Sequence, residues 1–155
     1  MSDTNKPAEA STFAATGACL CGKVTYKATV KQGTGACHCR MCRRWSGGPL
    51  MSAHTVGEVE FNNEDSITRY ASSPWAERGF CKHCGSNLFY HLLPRPQLPG
   101  GEYIITAGSL DDQSNLEFDH EVYVDSAPGW YSFDGEDQRK RMTEADILAM
   151  FGPEA

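Results

Sequence analysis

The chain has 155 residues, enough for one domain with a core of its own, and 40% of them are hydrophobic. A formal net charge of -6 disfavours a general nucleic-acid binder, which needs a basic surface. No stretch approaches the ~20 apolar residues of a transmembrane helix, and Met1 to Ala15 holds no apolar run of signal-peptide length. A cytoplasmic protein with no membrane partner is therefore the expectation.

Residues 1–14 are small and polar and read as a disordered tail, leaving 15–155 as a single domain. Cys19-Leu20-Cys21 comes first and is followed by Gly22. Val24, Tyr26, Ala28 and Val30 then alternate with Lys23, Thr25, Lys27 and Thr29, the period of a half-buried strand. Gln32-Gly33-Thr34-Gly35 reads as a turn leading into Cys37-His38-Cys39-Arg40-Met41-Cys42. Short strands are expected at Leu50–Ala53, Val59–Asn62, Ile67–Tyr70, Arg78–Phe80, Leu88–Leu93, Tyr103–Ala107, Glu121–Val124 and Trp130–Phe133. Between them lie a second cysteine pair, Cys81-Lys82-His83-Cys84-Gly85, and a proline-rich surface loop over 94–101. A C-terminal helix is signalled by Thr143-x-x-Asp146, by the apolar Ile147, Leu148, Met150 and Phe151, and by the stop Gly152-Pro153. Many short strands without βαβ alternation predict a mainly β fold with one short C-terminal helix.

Seven cysteines cannot all pair intramolecularly, and in a reducing compartment clustered cysteines bind metal more often than they form disulfides. Ligands two or three residues apart can reach one zinc ion from a tight turn. The two flanking pairs share a Cys-Gly ending, and a glycine there can take positive φ so that backbone N–H groups point at sulfur. That shared ending groups Cys19, Cys21, Cys81 and Cys84 into a closed site with no vacancy, the structural type. Cys37, Cys39 and Cys42 then form a second site with three protein ligands and an open position, the catalytic pattern. Spacing alone admits another division, in which Cys39, Cys42, Cys81 and Cys84 make a zinc ribbon and three cysteines are left over. His38 is a fourth ligand, a residue supporting the ligands or a surface residue. His54, His83, His91 and His120 are isolated and read as ordinary surface or half-buried histidines.

Taken together these residues resemble the glutathione-dependent formaldehyde-activating enzyme family, which includes centromere protein V-like domains. The resemblance is carried by Gly17-Ala18-Cys19-Leu20-Cys21-Gly22-Lys23-Val24, by the run from Cys37 through Trp45-Ser46-Gly47, by Gly79 through Phe89, and by Gly108-Ser109-Leu110-Asp111-Asp112 with Tyr123-Val124-Asp125 and Trp130. It implies a fold of coiled antiparallel sheets, a β-tent. It implies two zinc ions per chain: a structural one on Cys19, Cys21, Cys81 and Cys84, and a catalytic one on Cys37, Cys39 and Cys42. It implies carbon–sulfur bond formation of the lyase class, in which glutathione or a similar thiol adds to a small aldehyde such as formaldehyde. A non-catalytic zinc-binding scaffold of the same fold is the alternative.

Charge counting refines that expectation. Three thiolates already give a divalent zinc a formal charge of −1, so the centre is better suited to presenting a substrate thiolate than to polarising a carbonyl. Arg40, Arg43 and Arg44 flank the trio and are candidates for offsetting the charge or pairing with substrate carboxylates, and Trp45 for walling the pocket. A redox enzyme of the methionine sulfoxide reductase type would need a cysteine outside the two sites, and none is left.

Overall fold

A computed structural model describes residues 11–96 and 99–152. The first ten residues of the expected tail, residues 97–98 of the proline-rich loop and residues 153–155 lie outside the described residues. Among the described residues nine strands form one sheet: β1 (Thr12–Ala18), β2 (Thr25–Cys37), β3 (Leu50–Asn62), β4 (Ile67–Ser73), β5 (Ala76–Cys81), β6 (Asn87–Leu92), β7 (Tyr103–Thr106), β8 (Glu117–Val122) and β9 (Lys140–Met142). Two helices are added, α1 (Arg40–Ser46) and α2 (Glu144–Phe151). The sheet runs β4-β5-β6-β7-β3-β2-β8-β9, with β1 also on β2. Among the described residues no helix is long and apolar enough to cross a membrane.

The fold is mainly β with a short C-terminal helix, as the short-strand pattern predicts. The sheet is mixed, because β8 runs parallel to both β2 and β9 while the remaining pairings are antiparallel. Helix α2 begins with the expected capping box: the Thr143 hydroxyl accepts from Asp146 N–H, and the Asp146 carboxylate accepts from Thr143 N–H. Val24, Tyr26, Ala28 and Val30 are all buried, so the period-two reading selects the right face of β2. They meet Ala53, Leu88, Phe89, Ile105 and Leu110 in the core. Phe89 sits at its centre, with its ring centroid 5.2 Å from that of Phe61 and 4.9 Å from that of Tyr103.

The structure corrects four expectations. Strand β1 begins at Thr12, inside the stretch read as a tail; its small side chains hide a strand that pairs with Thr25–Lys31 and leans Phe13 and Ala15 on the core. Gln32–Gly35 is no turn. Strand β2 continues through it to Cys37, with a register irregularity against β3 between Val30 and Thr34. Its glycines serve close approach instead of reversal: the Asp119 carboxylate and the His120 ring of β8 lie where side chains at Gly33 and Gly35 would stand. Residues 130–133, aromatic-rich and read as a strand, have no regular structure. Helix α1 was not among the expected elements, because its cap is a sulfur: Cys39 Sγ accepts from Cys42 N–H at 3.3 Å in place of the usual oxygen.

Candidate metal centres

The seven cysteines are all free and gather into two clusters, one of Cys19, Cys21, Cys81 and Cys84 and one of Cys37, Cys39 and Cys42. In each, the sulfurs lie within 4.8 Å of one another. The zinc-ribbon division is not the arrangement found.

The four-cysteine cluster joins the turn after β1 to the turn after β5. In both knuckles the glycine takes the left-handed conformation, φ 79° at Gly22 and 76° at Gly85. Each turn closes on its first cysteine: Gly22 N–H donates to Cys19 O at 3.1 Å, and Gly85 N–H donates to Cys81 O at 2.8 Å. Val24 N–H points at Cys19 Sγ, 3.3 Å away. Ser86 stitches the two turns, its hydroxyl accepting Leu20 N–H at 2.9 Å and lying 3.2 Å from Cys84 Sγ. The Ser86 hydroxyl and N–H hold the Cys84 thiol down to about 5. Four thiolates around zinc at about 2.3 Å give tetrahedral sulfur–sulfur edges of about 3.8 Å. The observed contacts of 3.5 Å (Cys19–Cys21) and 3.8 Å (Cys21–Cys81) fit that donor set. Cys21 and the 90% exposed Leu20 bring one side of the cluster to the surface, while Cys19 and Cys81 are buried.

The three-cysteine cluster lies where β2 ends and α1 begins. Cys37 closes β2, Cys39 caps the helix and Cys42 lies on its first turn. Hydrogen bonds from the Cys37 and Cys42 thiols, then from Cys42 N–H and with the charge of Arg78, outweigh burial and hold Cys39 well below an ordinary thiol. The hydrogen bonds with Cys39 and Cys42 push Cys37 upward in turn. Three clustered sulfurs that favour a shared anion are a suitable donor set for a soft divalent metal ion. Either cluster could hold one.

His38 is not a fourth donor here. Its ring is buried, with Nδ1 2.8 Å from the Tyr131 hydroxyl and Nε2 2.8 Å from Glu121 Oε1, so both nitrogens are engaged. Glu121 is also buried and accepts from Arg139 at 3.3 Å and Arg141 at 3.2 Å through its other oxygen. This network fixes the backbone between Cys37 and Cys39: His38 N–H donates to Val122 O at 3.0 Å, and Arg43 Nε donates to His38 O at 2.9 Å. Arg43 is thereby committed to the backbone. Arg40 and Arg44 project from α1 into solvent. Trp45 is half-buried, its carbonyl accepting from Asn87 at 3.1 Å.

The sequence reading missed Arg78. Its side chain is buried, and its two terminal nitrogens both reach Cys42 Sγ at 3.7 Å. The guanidinium lies 5.1 Å from the Trp45 ring centroid and 5.0 Å from that of Tyr90. The available signal was an arginine at an inward position of a short strand, three residues before a knuckle cysteine. Tyr123 stands near the trio in a left-handed conformation, φ 56°; burial and the negative charge on Cys37 and Cys39 push its hydroxyl up to about 12. The other histidines serve elsewhere: His54 bonds Glu102 at 2.9 Å, His91 bonds Glu77 at 2.9 Å, His120 bonds Asp119 at 2.5 Å and His83 lies 3.2 Å from the Ser66 hydroxyl.

Comparison with known proteins adds two findings. A family model described as glutathione-dependent formaldehyde-activating enzyme matches residues 14–126. A protein of Schizosaccharomyces pombe, named as an uncharacterized lyase, is 32% identical over 118 residues, covering 76% of this chain and 83% of that protein. The residues matched by the family model include all seven cysteines, Trp45 and Arg78, and stop short of Tyr131, Arg139 and Arg141.

Proposed function

The chain belongs to the glutathione-dependent formaldehyde-activating enzyme family, and on that basis we propose a zinc-dependent lyase-type enzyme that joins a small thiol to a small aldehyde at the three-cysteine site. The observation that carries this reading is the engagement of both His38 ring nitrogens, which leaves the trio one donor short of the four that zinc takes. The same observation weighs against the scaffold alternative, in which a protein group closes the site.

Cys37, Cys39 and Cys42 would hold one zinc ion, and Cys19, Cys21, Cys81 and Cys84 a second, structural one. Zinc in the open site would stabilise an incoming thiol as its thiolate. In the addition, the substrate sulfur's lone pair forms the carbon–sulfur bond and the carbonyl π pair moves to oxygen. The proton given up by the thiol ends on that oxygen; the reverse direction regenerates thiol and aldehyde. Trp45 and Tyr90, whose ring centroids lie 5.1 and 5.0 Å from the Arg78 guanidinium, would wall the site. Arg40 and Arg44, exposed on α1, are available to the carboxylates of a glutathione-like thiol, whereas Arg43 is held by the His38 carbonyl.

The test is turnover of glutathione and other thiols with formaldehyde and larger aldehydes, each against a reaction without enzyme. Rates above that control in the zinc-loaded protein, lost in Cys39→Ala while the fold persists, support the reading. Equal rates with and without protein for every pair would overturn it.

A further inference from the structure

Arg78 makes no ion pair with a carboxylate among the described residues. A buried guanidinium without an anion is costly, and deleting one partner of such a pair exposes that cost. The anion within its reach is the three-cysteine cluster: both terminal nitrogens point at Cys42 Sγ, and the planar group is fixed between Trp45 and Tyr90. Tyr90 lies directly across the β5–β6 ladder from Arg78, so the cation is set by strand register. Strand β5 thus serves both clusters, delivering Arg78 to one and Cys81 to the other.

Resting on the function proposed above, we infer that Arg78 is the fixed counter-cation of the three-cysteine site, a positioning residue that makes room in its charge balance for one more anionic sulfur. Three thiolates and a divalent ion sum to −1, and Arg78 brings the set to neutral. An incoming thiolate then returns it to −1 instead of driving it to −2. The four-cysteine cluster has the formal charge of −2 from the start. Among the described residues no lysine or arginine side chain donates to its sulfurs, which are offered backbone N–H and serine hydroxyl groups instead. Exposure alone does not separate the two places, since Cys19 and Cys81 are buried as fully as Cys42; the four-cysteine sulfurs are met by N–H and hydroxyl donors with Cys21 open to solvent, and Cys42 by a cation built into the fold.

The experiment uses the full chain loaded with zinc, in wild-type, Arg78→Met and Arg78→Lys forms. Zinc release to a competing chelator is followed alongside thermal melting, and glutathione binding is measured by calorimetry. In Arg78→Met one zinc is expected to stay as firmly held as in wild type. The other should be released about 10–100-fold more readily, the range typical of lost supporting contacts around a metal. Glutathione should bind more weakly, and Arg78→Lys should recover most of both effects. Wild-type zinc retention and glutathione binding in Arg78→Met would overturn the inference. So would equal impairment of the Lys and Met variants with the four-cysteine zinc still in place. If Arg78→Met unfolds and loses both ions, Arg78→Lys decides: retention of both zinc ions in a folded chain supports the role, and selective loss of one refutes it. A wild-type protein that holds two zinc ions with this Arg78 dependence and yet turns over no thiol–aldehyde pair would sink the enzymatic reading alone.

Discussion

The two cysteine clusters are built from the same side chain and differ in everything around it. The four-cysteine cluster is assembled from two tight turns, each ending in a left-handed glycine, and its sulfurs meet a backbone N–H group and a serine hydroxyl. It ties segments 60 residues apart and offers four protein donors, enough to saturate a tetrahedral ion. The three-cysteine cluster sits at a strand end and a helix cap, backed by a buried cation and walled by aromatic rings. Its spare histidine is drawn away by Glu121 and Tyr131. On the proposed reading, a cluster that completes its own coordination serves the fold, and one held incomplete by its neighbours is open to chemistry.

The sharpest way to break this comparison is to remove one sulfur from each side. Cys84→Ala should abolish cooperative folding at ambient temperature, because the binding free energy of a structural zinc, about 10–16 kcal/mol, acts as folding free energy. Cys39→Ala should remain folded and carry one zinc ion per chain against two in wild type. Melting curves and metal analysis read both, and equal loss of folding in the two variants would make both sites structural.

Next in size is Glu121→Ala. It strips His38, Arg139 and Arg141 of a buried carboxylate and should cost about 3–5 kcal/mol in a denaturant titration. It should also loosen zinc in the three-cysteine site more than in the other, since His38 N–H and the Arg43–His38 contact anchor that loop. An unchanged order of zinc release would show that the network supports the sheet alone.

The smallest pair compares two glycines of the same conformation. Gly85 (φ 76°) closes a knuckle of the four-cysteine cluster and Gly47 (φ 86°) ends α1 beside the other. Neither has a neighbour that an added Cβ would strike, so each Ala substitution carries the backbone cost alone, about 1 kcal/mol. That is a fall of about 2–4 °C in melting temperature for a chain of this size. Gly85→Ala should additionally weaken zinc retention in the four-cysteine site, because Gly85 N–H closes the turn on Cys81. Gly47→Ala should leave that retention unchanged.

Much of this was legible in the chain because it is local. Cysteine spacing with its following glycine predicts the two knuckles, and both glycines adopt the positive φ that the pattern requires. Period-two alternation marks the buried face of β2, and Thr143 with Asp146 marks the start of α2. The misreadings share another cause. Gly33 and Gly35 signal a turn in sequence, but in space they admit the side chains of β8, a strand about 80 residues later that pairs in parallel. The arginines beside the cysteine trio drew attention by adjacency, yet two of them point to solvent and the third holds a carbonyl.

The sequence by itself determined which atoms could bind metal, that the fold is mainly β, and where its C-terminal helix begins, because each is set by residues within a few positions of one another. The tertiary structure chose the four-and-three division of the cysteines over the zinc ribbon that spacing also allowed, and it alone decided that His38 is withheld from the second cluster and that Arg78 is the cation facing it. Those outcomes depend on strand register and burial, which bring together groups 36 to 93 residues apart and remove them from water. A charge acquires its function there from what it is buried against, and no local pattern encodes that.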